Sequence, residues 1–126
     1  MRLNQVTVRV SDIHQSLEFY KGLGLMPIVA GLDHYARFLC PEGDSTFSIE
    51  KISEGKPQST TTVYFECDNL DAKVAELKSK GYAFTQDPTD QSWLWREAYL
   101  KDPDGNLICL FYAGENRINP PWRIKE

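Results

Sequence analysis

The stretch "VRVSDIHQSLEFYKGLGL" (residues 8–25) changes its hydrophobic period in the middle, and that change sets the fold class. Up to Val10 the apolar residues alternate, with Val6, Val8 and Val10 on one side and Gln5, Thr7 and Arg9 on the other, the period of a strand with one apolar face. After Ser11 or Asp12, either of which can cap a helix, Ile13, Leu17 and Tyr20 recur at helical spacing until Gly22 or Gly24 stops the run. A strand passes directly into one short helix.

Three more strands are expected over residues 26–30, 34–39 and 45–51, separated by "GLD" and "CPEGD", so the first half reads β-α-β-β-β. Beyond the polar linker "SEGKPQS" the same order returns. A strand at 61–66 leads to a helix from Asp68 or Asn69 to Lys80, stopped by Gly81, and then to strands at 82–85, 92–101 and 106–113. In "DPDGNLICLFY" (residues 102–112) proline fixes φ and Asp-Gly supplies the positive φ of a tight turn, after which the strand is apolar on both faces. Asp12 echoes Asp68, Gly24 echoes Gly81, and "PEG" echoes "PDG". Two such units suggest a duplication in which each helix covers one face of its sheet and the other face curves around a cleft.

The bulk properties exclude several classes. At 126 residues the chain is the usual size of one domain, and its 41% hydrophobic and 25% charged residues are ordinary for a globular protein. Fourteen basic residues against eighteen acidic ones give a net charge of −4 with no basic stripe, so nucleic acid is not an expected partner. No apolar run approaches membrane-spanning length and the first ten residues alternate, which leads to the expectation of a cytoplasmic protein with no membrane partner. Cys40, Cys67 and Cys109 are odd in number and lack C-x-x-C spacing, against both a disulfide framework and a zinc finger. They are expected to be reduced and mostly buried.

In "VRVSDIHQSLEFYKGLGL" and "LKDPDGNLICLFY" the chain resembles the vicinal oxygen chelate superfamily, as a divergent member. That group includes glyoxalase I, extradiol dioxygenases and bleomycin resistance proteins. The resemblance implies an α+β fold: two βαβββ repeats forming curved mixed sheets around a cleft. It places one domain over residues 1–113, with modules at about 3–52 and 60–113 and an extended tail at 114–126. It also implies four metal-ligand places, one near the start of each half's first strand and one in each half's last strand. By position these fall on Gln5, Glu50, Thr62 and Cys109. Gln5 and Glu50 suit the family pattern, whereas Thr62 stands where His is usual and Cys109 where Glu is usual. A hydroxyl and a thiol serve a hard divalent cation poorly, so no metal is expected and the four places read as vestigial. His14, on the helix, and His34, near a turn, do not replace the missing ligands.

The inward strand parities nominate a ligand-binding lining of Gln5, Thr7, Arg9, Ser48, Glu50, Thr62, Tyr64, Glu66, Cys109 and Phe111, joined by Trp93 and Trp95. Trp93, Trp95 and Tyr99 share one parity of their strand and could stack on a planar ligand; Leu94, Ala98 and Leu100 suit burial equally, and parity leaves the face open. Arg9 could neighbour Cys109 or pair with Glu50. In the tail, Pro120 and Pro121 impose extended geometry, and Trp122 is expected to anchor it on its own chain or on the second subunit of a homodimer. The resulting expectation is a binder of a small organic molecule working without the family's usual metal or any other cofactor. The alternative is a glyoxalase-type lyase or isomerase, or a dioxygenase-like enzyme, holding Zn, Ni, Mn or Fe through Gln5, Glu50 and Cys109 with Glu50 as the catalytic base.

Overall fold

The computed structural model describes residues 1–125. The first repeat forms β1 (Gln5–Val10), α1 (Ile13–Leu23), β2 (Met26–Val29), β3 (Tyr35–Leu39) and β4 (Thr46–Lys51). The second forms β5 (Thr62–Glu66), α2 (Leu70–Ser79), β6 (Phe84–Asp90), β7 (Arg96–Lys101) and β8 (Leu107–Tyr112), followed by a short 3₁₀ turn, Gly114–Arg117. The fold class is that read from the sequence: each repeat makes a four-stranded mixed sheet, ordered β1-β4-β3-β2 and β5-β8-β7-β6. In both, the first strand runs parallel to the last and the remaining pairs are antiparallel.

Local chemistry explains the helix ends. Asp12 is the N-cap of α1 and accepts from the Gln15 amide at 3.0 Å, while Asn69 does the same for Ala72 in α2 at 3.2 Å. The repeat partner of Asp12 is therefore Asn69, one residue beyond the expected Asp68. Gly24, at φ 116°, takes the left-handed conformation that ends α1 at no steric cost.

The chain gathers into two compact units, Met1–Thr60 with Asp102–Asn106, and Thr61–Lys101 with Leu107–Glu126. In the first, Tyr20 from α1 packs on Phe38 and Phe47 of the sheet, with ring centroids 6.1 and 4.6 Å away, and all three are fully buried or nearly so. In the second, Leu70, Val74 and Leu77 of α2 are buried, as are Ala98, Leu100, Ile108 and Leu110 of the sheet. Each such large apolar side chain contributes about 1.5–3 kcal/mol.

Several expectations shift at the sheet edges. The sixth strand was expected to end at residue 85, before Pro88, yet β6 continues to Asp90. It is an edge strand, where a missing N–H costs no ladder bond, and its register slips between Gln86 and Thr89. Pro27 has the same position in edge strand β2, again beside a register slip. The seventh strand is shorter than the expected 92–101, because 91–95 form the hairpin turn with Leu94 at φ 68°. Of the three cysteines only Cys109 is buried; Cys40 and Cys67 are half-buried, and among the described residues none is joined in a disulfide. Trp122, expected to anchor the tail, is 57% exposed within the described chain.

Candidate functional site: the two helix-free sheet faces

Strand alternation gives each unit a face turned away from its helix. On the first sheet that face is polar. Arg9 and Glu50 are register partners joined by a 3.0 Å ion pair, so of the two partners the sequence left open for Arg9, the chain uses Glu50. Tyr35 lies opposite Glu50 and its hydroxyl meets Ser48 Oγ at 2.7 Å while accepting from Arg37 Nε at 2.9 Å. Burial pushes the Tyr35 phenol up, but the hydrogen bonds with Ser48 and Arg37 and the Arg37 charge outweigh it, and the net shift is downward. Thr7 is the partner of the fully buried Ser48, and Gln5 Oε1 accepts from Thr46 Oγ1 at 2.8 Å.

The corresponding face of the second sheet is aromatic. Cys109 lies between Tyr64 and Tyr99 in the register, and Phe111 between Glu66 and Glu97. Trp95 stacks on Phe111 with centroids 4.6 Å apart and planes at 15°, and Tyr64 meets both edge-on, at 6.0 and 5.7 Å. Trp95 and Tyr99 pack against Cys109, Phe111 and Ala113, whereas Ala98 and Leu100 are buried on the α2 side. The face that parity left open is thereby assigned. Glu97 is 2% exposed; its Oε1 accepts from Tyr99 Oη at 3.1 Å and its Oε2 from Trp93 Nε1 at 3.2 Å. Glu66 Oε2 accepts from the Ala113 and Gly114 amides at 2.9 and 3.0 Å, which directs it to the 3₁₀ turn. Cys109, the packed thiol, is pushed up to about 12, mainly by burial.

Sequence parity missed Tyr35, Arg37 and Glu97. The signals were present: Tyr35 and Arg37 alternate with buried Ala36 and Phe38, and Glu97 has the parity of Trp95 and Tyr99. An open groove of about 490 Å³ lies elsewhere, between the start of α1 and the β2–β3 turn, and none of the nominated ligand-binding residues lines it. Its walls include His14, Leu32 and Lys51 together with the buried Ala36, and it meets the polar face at Tyr35.

The residues at the family's metal places do not fit a divalent cation. Gln5 pairs with Thr46 and Glu50 with Arg9. The two are thus four positions apart along parallel neighbours, about 13 Å at 3.3 Å per residue. Measured from the helix caps, Thr7 corresponds to Tyr64, and their partners Ser48 and Cys109 hold equivalent places. By this repeat equivalence Ser48, rather than Glu50, is the counterpart of Cys109 in the first unit. The set becomes Gln5, Ser48, Thr62 and Cys109, with no carboxylate, no imidazole and a thiol whose binding form is disfavoured. Among the described residues no group of three His, Cys, Asp or Glu side chains is arranged to hold a metal ion.

Comparison with known proteins agrees with the architecture. Residues 2–110 match the model of the Glyoxalase/Bleomycin resistance protein/Dioxygenase superfamily, and the chain belongs to that family. It is 28% identical over 125 residues to the uncharacterised protein YraH of Bacillus subtilis (strain 168), covering 88% of this chain and 98% of YraH. A glyoxalase/bleomycin resistance protein/dioxygenase from Nocardioides superposes with a TM-score of 0.77 at 20% identity, over 99% of this chain and 90% of that one. Lactoylglutathione lyase from Agrobacterium tumefaciens does so with a TM-score of 0.74 at 12% identity, over 88% and 92%. At such identities these two structures share the fold and nothing finer.

Proposed function

We propose that this protein binds a small organic molecule on the aromatic face of its second sheet and does so without the family's usual metal. The observation that carries the reading is the Tyr64–Trp95–Phe111 ring cluster on a face no helix of its unit covers. Tyr64 there remains 47% exposed. Exposed aromatic area beside fixed polar groups is how small-molecule sites gain affinity and orientation together. Donor chemistry supports the metal-free half of the reading: a Gln, two hydroxyls and a raised-pKa thiol compensate little of a divalent charge.

As a partner we propose a second copy of the chain, for which the exposed Ile118, Trp122 and Ile124 of the tail would supply apolar contact. The proposed location is the cytoplasm; among the described residues no helix is long and apolar enough to cross a membrane. Native mass spectrometry of protein prepared without chelator tests the reading. A metal-free dimer retaining or accepting an organic mass supports it, and stoichiometric metal overturns it in favour of lyase, isomerase or dioxygenase chemistry.

A further inference from the structure

Glu97 is a carboxylate almost wholly removed from solvent, and both side chains that donate to it are neutral: the indole N–H of Trp93 and the hydroxyl of Tyr99. Hydrogen bonds from neutral donors hold a carboxylate in place but leave its charge unbalanced, and an unbalanced buried charge is costly. Three cations of the same unit have acidic partners of their own. Arg96 pairs with Asp71 and Asp90, Lys78 with Asp87, and Arg117 lies 3.7 Å from Glu66. Lys101 shares the strand parity of Glu97 but lies four residues along it, about 13 Å away.

Around this charge stand the rings already described. Glu97 and Phe111 are register partners, Trp95 stacks on Phe111, and Tyr64 closes the cluster edge-on. Trp93 reaches Glu97 from a turn whose next residue, Leu94, is held at φ 68°, a conformation unfavourable for leucine. Ring faces attract cations through their quadrupoles, and a carboxylate behind the rings adds attraction of the same sign.

We infer that the aromatic face selects an organic cation, an ammonium group on an apolar body that rests on the Tyr64 and Trp95 rings with Glu97 as its counter-charge. The inference rests on the binding reading above and narrows it to a ligand class. A neutral aromatic ligand would satisfy the rings alone; only a cation also answers Glu97.

The test uses choline and its neutral carbon isostere 3,3-dimethylbutan-1-ol, which match in shape and differ in charge. Binding is followed by the Trp95 indole resonance in the full chain at low ionic strength. The expected result is choline binding about tenfold tighter than the alcohol. Glu97→Gln can keep an oxygen for the Trp93 indole N–H while its amide N–H turns to the Tyr99 hydroxyl oxygen, and it should reduce that preference to about twofold or less. Tyr64→Leu, at an exposed position that spares the core, should weaken choline severalfold more than the alcohol, and it serves if Glu97→Gln fails to fold. Equal binding of both probes, with Trp95 shifting, overturns the cation inference and leaves the binding reading standing. If neither these probes nor neutral aromatic compounds perturb Trp95, both fail.

Discussion

The Tyr20 hydroxyl donates to Asp102 Oδ2 at 2.7 Å, joining α1 to a turn 82 residues away in sequence. Asp102 is 5% exposed, and its other donors are the Asp104 and Asn106 amides and Asn106 Nδ2, at 2.8–2.9 Å. Asn106 Nδ2 also donates to Arg9 O, and Asp104 accepts from the Ser11 amide and hydroxyl. A buried carboxylate stripped of one of four donors loses a charge-assisted bond. Tyr20→Phe should therefore lower unfolding stability by about 1.5–3 kcal/mol in urea titrations, with the fold unchanged by circular dichroism. A cost below about 0.5 kcal/mol would mean that the turn is held by its backbone alone.

Ser16 marks the opposite case. Its hydroxyl is fully buried in α1 and has no hydrogen-bond partner among the described residues. Ser16→Ala removes an unsatisfied group and improves helix propensity, so stability should rise by about 1 kcal/mol. A loss of similar size would show that the hydroxyl makes a bond worth keeping.

Cys109 sets an alkaline limit. Its folded value, about 12, lies above the ordinary 9.0, so above pH 9 the unfolded chain releases a proton that the folded chain retains. The folded state then binds more protons and stability falls with rising pH, from about 9 until the folded thiol itself ionises. The phenols of Tyr20 and Tyr99 are raised too, chiefly by burial, and act in the same direction at higher pH. Denaturation at pH 8 and 10.5 should show a smaller drop in Cys109→Ala than in wild type. An equal drop would remove Cys109 from the account. The same burial should make Cys109 the slowest of the three cysteines to alkylate at pH 8.

Glu50 tests the metal-free reading. Its pair with Arg9 is about half exposed on each side, so Glu50→Gln should cost under about 1 kcal/mol and leave metal content at background by elemental analysis. Metal present in wild type and lost in this variant would restore Glu50 as a ligand.

The sequence disclosed the repeat, both helices and the order of strands because periodicity and capping are local, and Asp12, Gly24 and the "DPDG" turn announce themselves within a few residues. Edge strands were less legible. Pro88 reads as a strand breaker until its strand is known to lie at the edge of a sheet, where no partner needs its N–H. Register was not legible at all. That Ser48, rather than Glu50, is the counterpart of Cys109 depends on which residues pair across β1 and β4, a fact no single strand contains. Glu97 was missed because an acidic residue in a strand reads as solvent-facing, and only tertiary packing under Trp93 and Tyr99 buries it.

The most direct measurement is a fragment titration by ¹H–¹⁵N NMR in excess chelator, reading the three tryptophan indole N–H signals. The account predicts that bound small molecules shift Trp93 and Trp95, on or beside the aromatic face, and leave Trp122 in the tail where it was. Binding that appears only after a divalent metal is restored, or that moves neither Trp93 nor Trp95, would contradict it.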